Sequence, residues 1–233
     1  LMQEIVGVGE RAASLTRQFL AFGTPSARPA TAVDVEAVLT SAESLLRRLI
    51  PKLNACGRLG DATAVWQLLQ AESAAGVERW LEVIETAHGT TKQLHRQMLG
   101  EAQEQINRLH FKDQYVMVVS RSGWHRGLMG ALASQLSQRY GRPAIAIAMD
   151  ERQGIGSGRS VPLFNLLDAL RACQALLVRY GGHAQACGLT MDRRHLETFR
   201  ALGYEHASRS MGREGLVRTR MVDAELPLEA VAP

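Results

Sequence analysis

Apolar positions recur near a 3.6-residue period over Ala12–Phe22 and again over Val33–Ile50, which predicts two helices at the start of the chain. Gly23–Pro29 separates them as a loop, and Asp34 is placed to cap the second or to sit in its first turn. Pro51–Ala62 then sets Arg58 between Gly57 and Gly60. This reads as a loop whose arginine reaches an anion, or as a structural turn with a solvated arginine. Asp61 is positioned to cap a helix running through Gln70. Ser73–Arg108 is a long polar stretch whose apolar residues Val77, Leu81, Ile84, Leu94, Met98, Ala102 and Ile106 fall at helical intervals. It is expected to break or bend near Gly89-Thr90-Thr91. A single apolar stripe over that length is typical of a helix bridging two domains, so this is the predicted connector.

From Gln114 the pattern changes. Tyr115–Val119 is a β-branched run of strand length, Ser120–Gly127 a turn, and Leu128–Tyr140 a helix stopped by Gly141 and Pro143. Ala144–Ala148 is a second, wholly apolar strand of the kind buried under helices. The unit predicts an α/β fold: a helical N-terminal and connector region, then a domain with a mixed, partly parallel sheet flanked by helices. Two glycine-rich segments follow, Gly154–Ser160 and Tyr180–Gly188, read as turns around a helix from Phe164 to Val178. A short strand at Leu189–Met191, a helix over Arg193–Ser208, a basic linker over Arg209–Arg220 and a strand at Val222–Leu226 complete the reading. The expected divisions are 1–72, 73–112 (connector), 113–208 (α/β domain) and 209–233.

Composition changes this picture only modestly. The 233 residues are 46% apolar and 21% charged, which is the balance of a folding chain and not of a disordered one. The 27 basic residues include only three lysines, Lys52, Lys92 and Lys112. Arginine recognises phosphate bidentately, so the bias suits a nucleic-acid partner; a GC-rich genome produces the same bias. Three cysteines without metal or redox spacing imply buried thiols in a reducing compartment. No apolar run approaches the length of a membrane span, and the first residues, which do not start with Met, lack a secretory pattern. The expectation is an excised piece of a longer, cytoplasmic protein.

The candidate chemistry lies in the glycine-rich segments. Closely spaced glycines let backbone N–H groups approach an anion, and Arg159, Ser157 and Ser160 add a guanidinium and two hydroxyls. The spacing is not that of a dinucleotide or P-loop signature. His183 follows Gly181-Gly182 at what reads as a helix N-terminus, either as a donor to phosphate or as a neutral helix-start residue. His125, beside Trp124, is a site candidate with a packing role as its alternative. The histidines lack the spacing of a metal site, and no nucleophile elbow is present.

Four motifs carry a resemblance: Leu53–Ala62, Trp124-His-Arg-Gly127, Gly156-Ser-Gly-Arg-Ser160 and Arg179–Thr190, with Gly-Gly-His at its centre. In this order they resemble the RecJ family of single-strand-specific DNA exonucleases, in the DHH phosphoesterase superfamily, over roughly Pro51–Ser208. The first motif resembles the end of the catalytic domain and the others the DHH-associated domain; Met221–Pro227 resembles the start of an OB-fold. The resemblance implies a 5′→3′ exonuclease of repair and recombination using two Mn²⁺ or Mg²⁺ ions, single-stranded DNA as partner, and helicase or single-strand-binding-protein partners. It implies that Arg58, Ser157, Gly158, Arg159 and Ser160, with Asn54 and His125, bind substrate phosphate. It also implies that Gly181, Gly182 and His183 face the active cleft, with His183 catalytic. The superfamily's Asp-His-His motif does not occur, so the metals are expected in a domain outside this chain, leaving the chain inactive alone. Cys56 and Cys187 stand where the family usually has Ala, and His88-Gly-Thr-Thr91 where an Asn and an Arg are common. The competing readings are a nanoRNase or phosphoadenosine-phosphate phosphatase of the same superfamily, and a stand-alone nucleic-acid-binding module.

Overall fold

Strand-length apolar runs separated by an amphipathic helix build a sheet that helices cover from both sides. The structure is a computed structural model describing residues 50–108 and 114–212. Residues 50–59 are helical (α1), followed by α2 (Thr63–Leu69) and α3 (Ala74–Arg108). Next come β1 (Met117–Ser122), a 3₁₀ turn at Arg126–Leu128, α4 (Met129–Tyr140), β2 (Ala144–Met149) and β3 (Gln153–Arg159). The remainder is α5 (Leu166–Ala172), β4 (Leu177–Gly182), β5 (Ala186–Asp192) and α6 (Leu196–Met211). The predicted helices before residue 50, the linker after 212 and the strand at Val222–Leu226 lie outside the described residues.

The five strands lie in the order β1-β2-β3-β5-β4, with β1 and β2 parallel and the other pairs antiparallel. One face carries α5 and α6 over Ile145, Ile147, Met149, Leu189 and Met191; the other carries α4 and the second half of α3 over Met117, Val119 and the alanines of β2. A third cluster of Cys56, Ala64 and Ile84 joins α1, α2 and the first half of α3. Thus α3 contributes Ile84 to one cluster and Met98, Ala102 and Ile106 to another.

Several expectations are corrected here. Both glycine-rich segments are largely strand, and in the first of them neighbouring side chains occupy the space above the glycines. A Cβ on Gly154 would stand 2.8 Å from Cγ2 of Ile147, and one on Gly156 would stand 2.9 Å from Cγ1 of Ile147. On Gly158 it would stand 2.7 Å from the Cys187 sulfur. The stripe of three glycines lets large residues of β2 and β5 close over β3. The predicted helix over Phe164–Val178 is only α5; Asn165 caps it by accepting from the amides of Leu167 and Asp168, and the chain is extended from Leu177. His183 is therefore not at a helix N-terminus but in the β4–β5 turn, where its N–H donates to the Ala186 carbonyl at 2.8 Å. No helix dipole points at it.

The segment around Arg58 is helix, not loop. Asp61 N–H bonds to the Cys56 carbonyl and Gly60 N–H to the Gly57 carbonyl, with Gly60 at φ 110°, the Schellman ending that glycine favours. Asp61 caps the next helix by accepting from the Thr63 amide at 2.8 Å. Helix α3 continues without interruption through Gly89-Thr90-Thr91; tertiary packing at both its ends outweighs one exposed glycine. The first strand extends to Ser122, the strand expected at Leu189–Met191 spans all of β5, and α6 continues to Met211, past the predicted start of the basic linker.

Candidate nucleic-acid interface

Arg58 ends α1 and Arg159 ends β3, and the fold turns both into one concavity of about 470 Å³ along α4, with Gly130, Ser134 and Gln135 on its wall. Glycine at 130 admits the guanidinium: a Cβ there would stand 3.2 Å from Nη2 of Arg159. Nη1 of Arg159 donates to the Gly158 carbonyl at 2.8 Å, which fixes the plane of the fork. Neither arginine forms an ion pair with a carboxylate among the described residues. Asn54 is exposed one helical turn before Arg58, on the same face of α1.

Pairing places Ser157 opposite Ala146 and Gly188, and Gly188 opposite Gly181. These residues share the sheet face with Arg159, and α4 packs on β2 and β3 of that face. Gly181 and Gly188 are exposed, and a Cβ on either meets nothing closer than 3.9 Å. Their glycines are not demanded by packing. By contrast Gly182, at φ 138°, is required by the turn, since a Cβ would overlap the Ala186 carbonyl. The result is a bare row across the sheet, Gly181–Gly188–Ser157, with Arg159 two residues further along β3 on the same face. His183 is exposed beside it.

Ser160 and Gly158 also serve the fold. The Ser160 hydroxyl donates to the Phe164 carbonyl at 2.6 Å, its amide donates to Gln185, and its carbonyl accepts from Ser137. Gly158 is buried on the opposite face, against Cys187. His125 is half-buried at the start of the 3₁₀ turn, and its Nδ1 is buried without a partner. Trp124 of the same motif is buried and donates its indole N–H to Glu101 Oε2 at 2.6 Å.

The sequence reading missed the neighbouring face of α3. His88, Thr91, Lys92, His95 and Arg96 line a second concavity of about 360 Å³ that shares Arg58 and Ala131 with the first. Their i, i+3, i+4, i+7, i+8 spacing was legible as one helical face. Burial holds the His95 imidazole below its ordinary range; an interaction with the Ala131 backbone opposes this and the charge of Arg58 adds to it. Among the described residues no group of three or more His, Cys, Asp or Glu side chains is placed to hold a metal ion. No described helix is long and apolar enough to cross a membrane.

A DHHA1 domain model matches residues 113–204. A single-stranded-DNA-specific exonuclease RecJ of Bacillus subtilis is 32% identical over 186 residues, covering 79% of this chain and 24% of that protein. Its namesake from Thermus thermophilus is 30% identical over 162 residues, covering 70% of this chain and 23% of that protein. A crystal structure of Thermus thermophilus RecJ in complex with Mn²⁺ matches with a TM-score of 0.64 and 30% identity, over 70% of this chain and 24% of that one. A structure of exonuclease RecJ bound to manganese matches equally well, covering 40% of its own chain. The fold and the site therefore define a protein with a DHH-associated domain. Within that class the chain is similar to RecJ exonucleases over most of its own length. It spans about a quarter of the length of the curated relatives it matches.

Proposed function

We propose that this chain is the strand-positioning part of a single-stranded-DNA-specific 5′→3′ exonuclease, acting in DNA repair and recombination, and that it grips the 5′-terminal phosphate. The observation that carries this reading is the convergence of Arg58 and Arg159 on one concavity. Two guanidiniums there, in no ion pair among the described residues, offer the charge-assisted, forked hydrogen bonds that suit a dianionic terminal phosphate. The bare row of Gly181, Gly188 and Ser157 lets the body of a strand lie close to the sheet, with the Ser157 hydroxyl beside it. His183 acts at the edge of that path, facing the reacting phosphodiester.

The reaction needs two divalent ions, Mn²⁺ or Mg²⁺, which would activate water and stabilise the leaving oxygen. They belong to the phosphoesterase domain that accompanies this one in the family, so this chain alone is inactive. Its own contribution is proximity: with the terminal phosphate held, the next phosphodiester is presented in one place and orientation.

The test is binding of matched 5′-phosphorylated and 5′-hydroxyl single strands by fluorescence anisotropy. The chain is expected to prefer the phosphorylated strand. Arg159→Ala is expected to remove about 1.5–3 kcal/mol from that binding alone, the worth of a hydrogen bond to a charged group. Equal weakening of both strands would sink the terminal-phosphate assignment.

A further inference from the structure

We propose that the concavity on α3 is a second oxyanion site, taking the next phosphate outward from the 5′ end: the β-phosphate of a strand that ends in a di- or triphosphate. The proposal rests on the terminal-phosphate reading above for its orientation, but its own residues are different. Lys92 and Arg96 project from α3 and Arg58 from α1, with no carboxylate in the lining. Glu85, outside the lining, is bound to Lys52 and also acts on Lys92 and His88. Three cations around one hollow, none in an ion pair with a carboxylate among the described residues, define a place for an anion.

The floor is polar and unsatisfied. Thr91 is only 8% exposed, and its Oγ1 has no hydrogen-bond partner. The buried Nε2 of His95, one turn further on, also has none. Buried polar atoms are nearly always paired, and leaving them unpaired is costly, so two together at the bottom of a cationic hollow point to a ligand. A phosphate oxygen accepts from the Thr91 hydroxyl, and from the neutral His95 ring in the tautomer that carries its proton on Nε2.

Position decides which phosphate. Gly181, Gly188 and Ser157 form one row across the open sheet, Arg159 stands two residues along β3 on the same face and lines the first concavity, and Arg58 and Ala131 line both hollows. A strand lying over the bare row and ending at Arg159 and Arg58 has its nucleotides on the sheet side. What lies beyond Arg58 is a group attached to the terminal phosphate itself. Of the cationic side chains, Arg58 alone lines both hollows, as a bridge between adjacent phosphates requires.

The experiment uses the 233-residue chain and one oligonucleotide sequence with a 5′-hydroxyl, a 5′-monophosphate or a 5′-triphosphate, with inorganic pyrophosphate as competitor. Expected is binding about ten-fold tighter for triphosphate than for monophosphate. Lys92→Ala with Arg96→Ala, both exposed positions, should erase that step while keeping the step from hydroxyl to monophosphate. The conservative Thr91→Val should reduce it, and unfolding midpoints confirm that each variant folds. Equal affinity for mono- and triphosphorylated strands overturns the proposal. A triphosphate preference without a monophosphate preference keeps the α3 site and removes the terminal-phosphate reading. Pyrophosphate competing equally against all three strands overturns the strand-end assignment, because the hollow then takes free oxyanions.

Discussion

The carbonyl group of Arg58 rests on the α-carbon of Gly127: a Cβ at 127 would overlap its oxygen and stand 2.9 Å from its carbon. Two motifs far apart in the chain thus meet at one contact. The last turn of α1 docks on the turn that starts α4, which is what holds the Arg58 side chain over the α4 concavity.

Gly127→Ala is therefore expected to force these backbones apart. Overpacking against a backbone atom costs about 1–3 kcal/mol, seen as a lower unfolding midpoint. Because Arg58 moves with α1, the preference for 5′-phosphorylated strands should fall as well. An unchanged midpoint would mean that the contact is slack.

The glycines of β3 separate packing from ligand approach. Gly156→Ala should cost stability, by about 1–3 kcal/mol in a denaturant titration, since the new methyl meets Ile147 and the Ala146 carbonyl at 2.9 and 3.0 Å. Gly188→Ala meets nothing closer than the Gly156 carbonyl at 3.9 Å, so it should leave stability almost unchanged and weaken strand binding. The opposite pattern would return β3 to the role of a phosphate-approach loop.

Glu101 links α3 to the Trp-His-Arg-Gly motif. Its carboxyl is held below its ordinary range, first by the Trp124 indole N–H and then by Gln97 and the charge of Arg121, against the opposing effect of burial. A lowered folded pKa gives stability that is fully present above the ordinary carboxylate range. It is lost as pH falls through the folded value. Glu101→Ala leaves the indole N–H of buried Trp124 unpaired and should cost about 1–3 kcal/mol. Unfolding midpoints measured from neutral to acid pH should fall less steeply in Glu101→Gln than in the parent chain.

The cysteines should be chemically quiet. Burial pushes the Cys187 thiol up to about 11, and burial also raises Cys173 and Cys56. Cys187 lies under Gly158 in the sheet core. An alkylating reagent at pH 8 should label all three only after denaturation, as read by mass spectrometry. Fast native labelling of Cys187 would contradict its placement.

Periodicity made α2, α3, α4 and β2 legible, because each buries an apolar stripe or one continuous apolar run. Motif spacing also marked Arg58 and Arg159. The glycine-rich stretches misled because glycine frequency is the same for a turn and for a strand overlaid by large neighbours. Only the pairing of β3 between β2 and β5 shows that Gly154, Gly156 and Gly158 make room for Ile147, Met149 and Cys187. Likewise the apolar pattern extends the expected helix to Val178, whereas hydrogen bonds to β5 make Leu177–Gly182 a strand.

The amino-acid sequence by itself determined the residue types suited to an anion, the helical face of the connector and the alternation of a mixed α/β domain, since these depend on near neighbours in the chain. The tertiary structure decided which of those residues share a hollow. Bringing Arg58 to Arg159, and His95 and Lys92 to Arg58, depends on how α1, α3 and α4 pack, and that packing is set by contacts such as Arg58 on Gly127 between segments that no local rule connects.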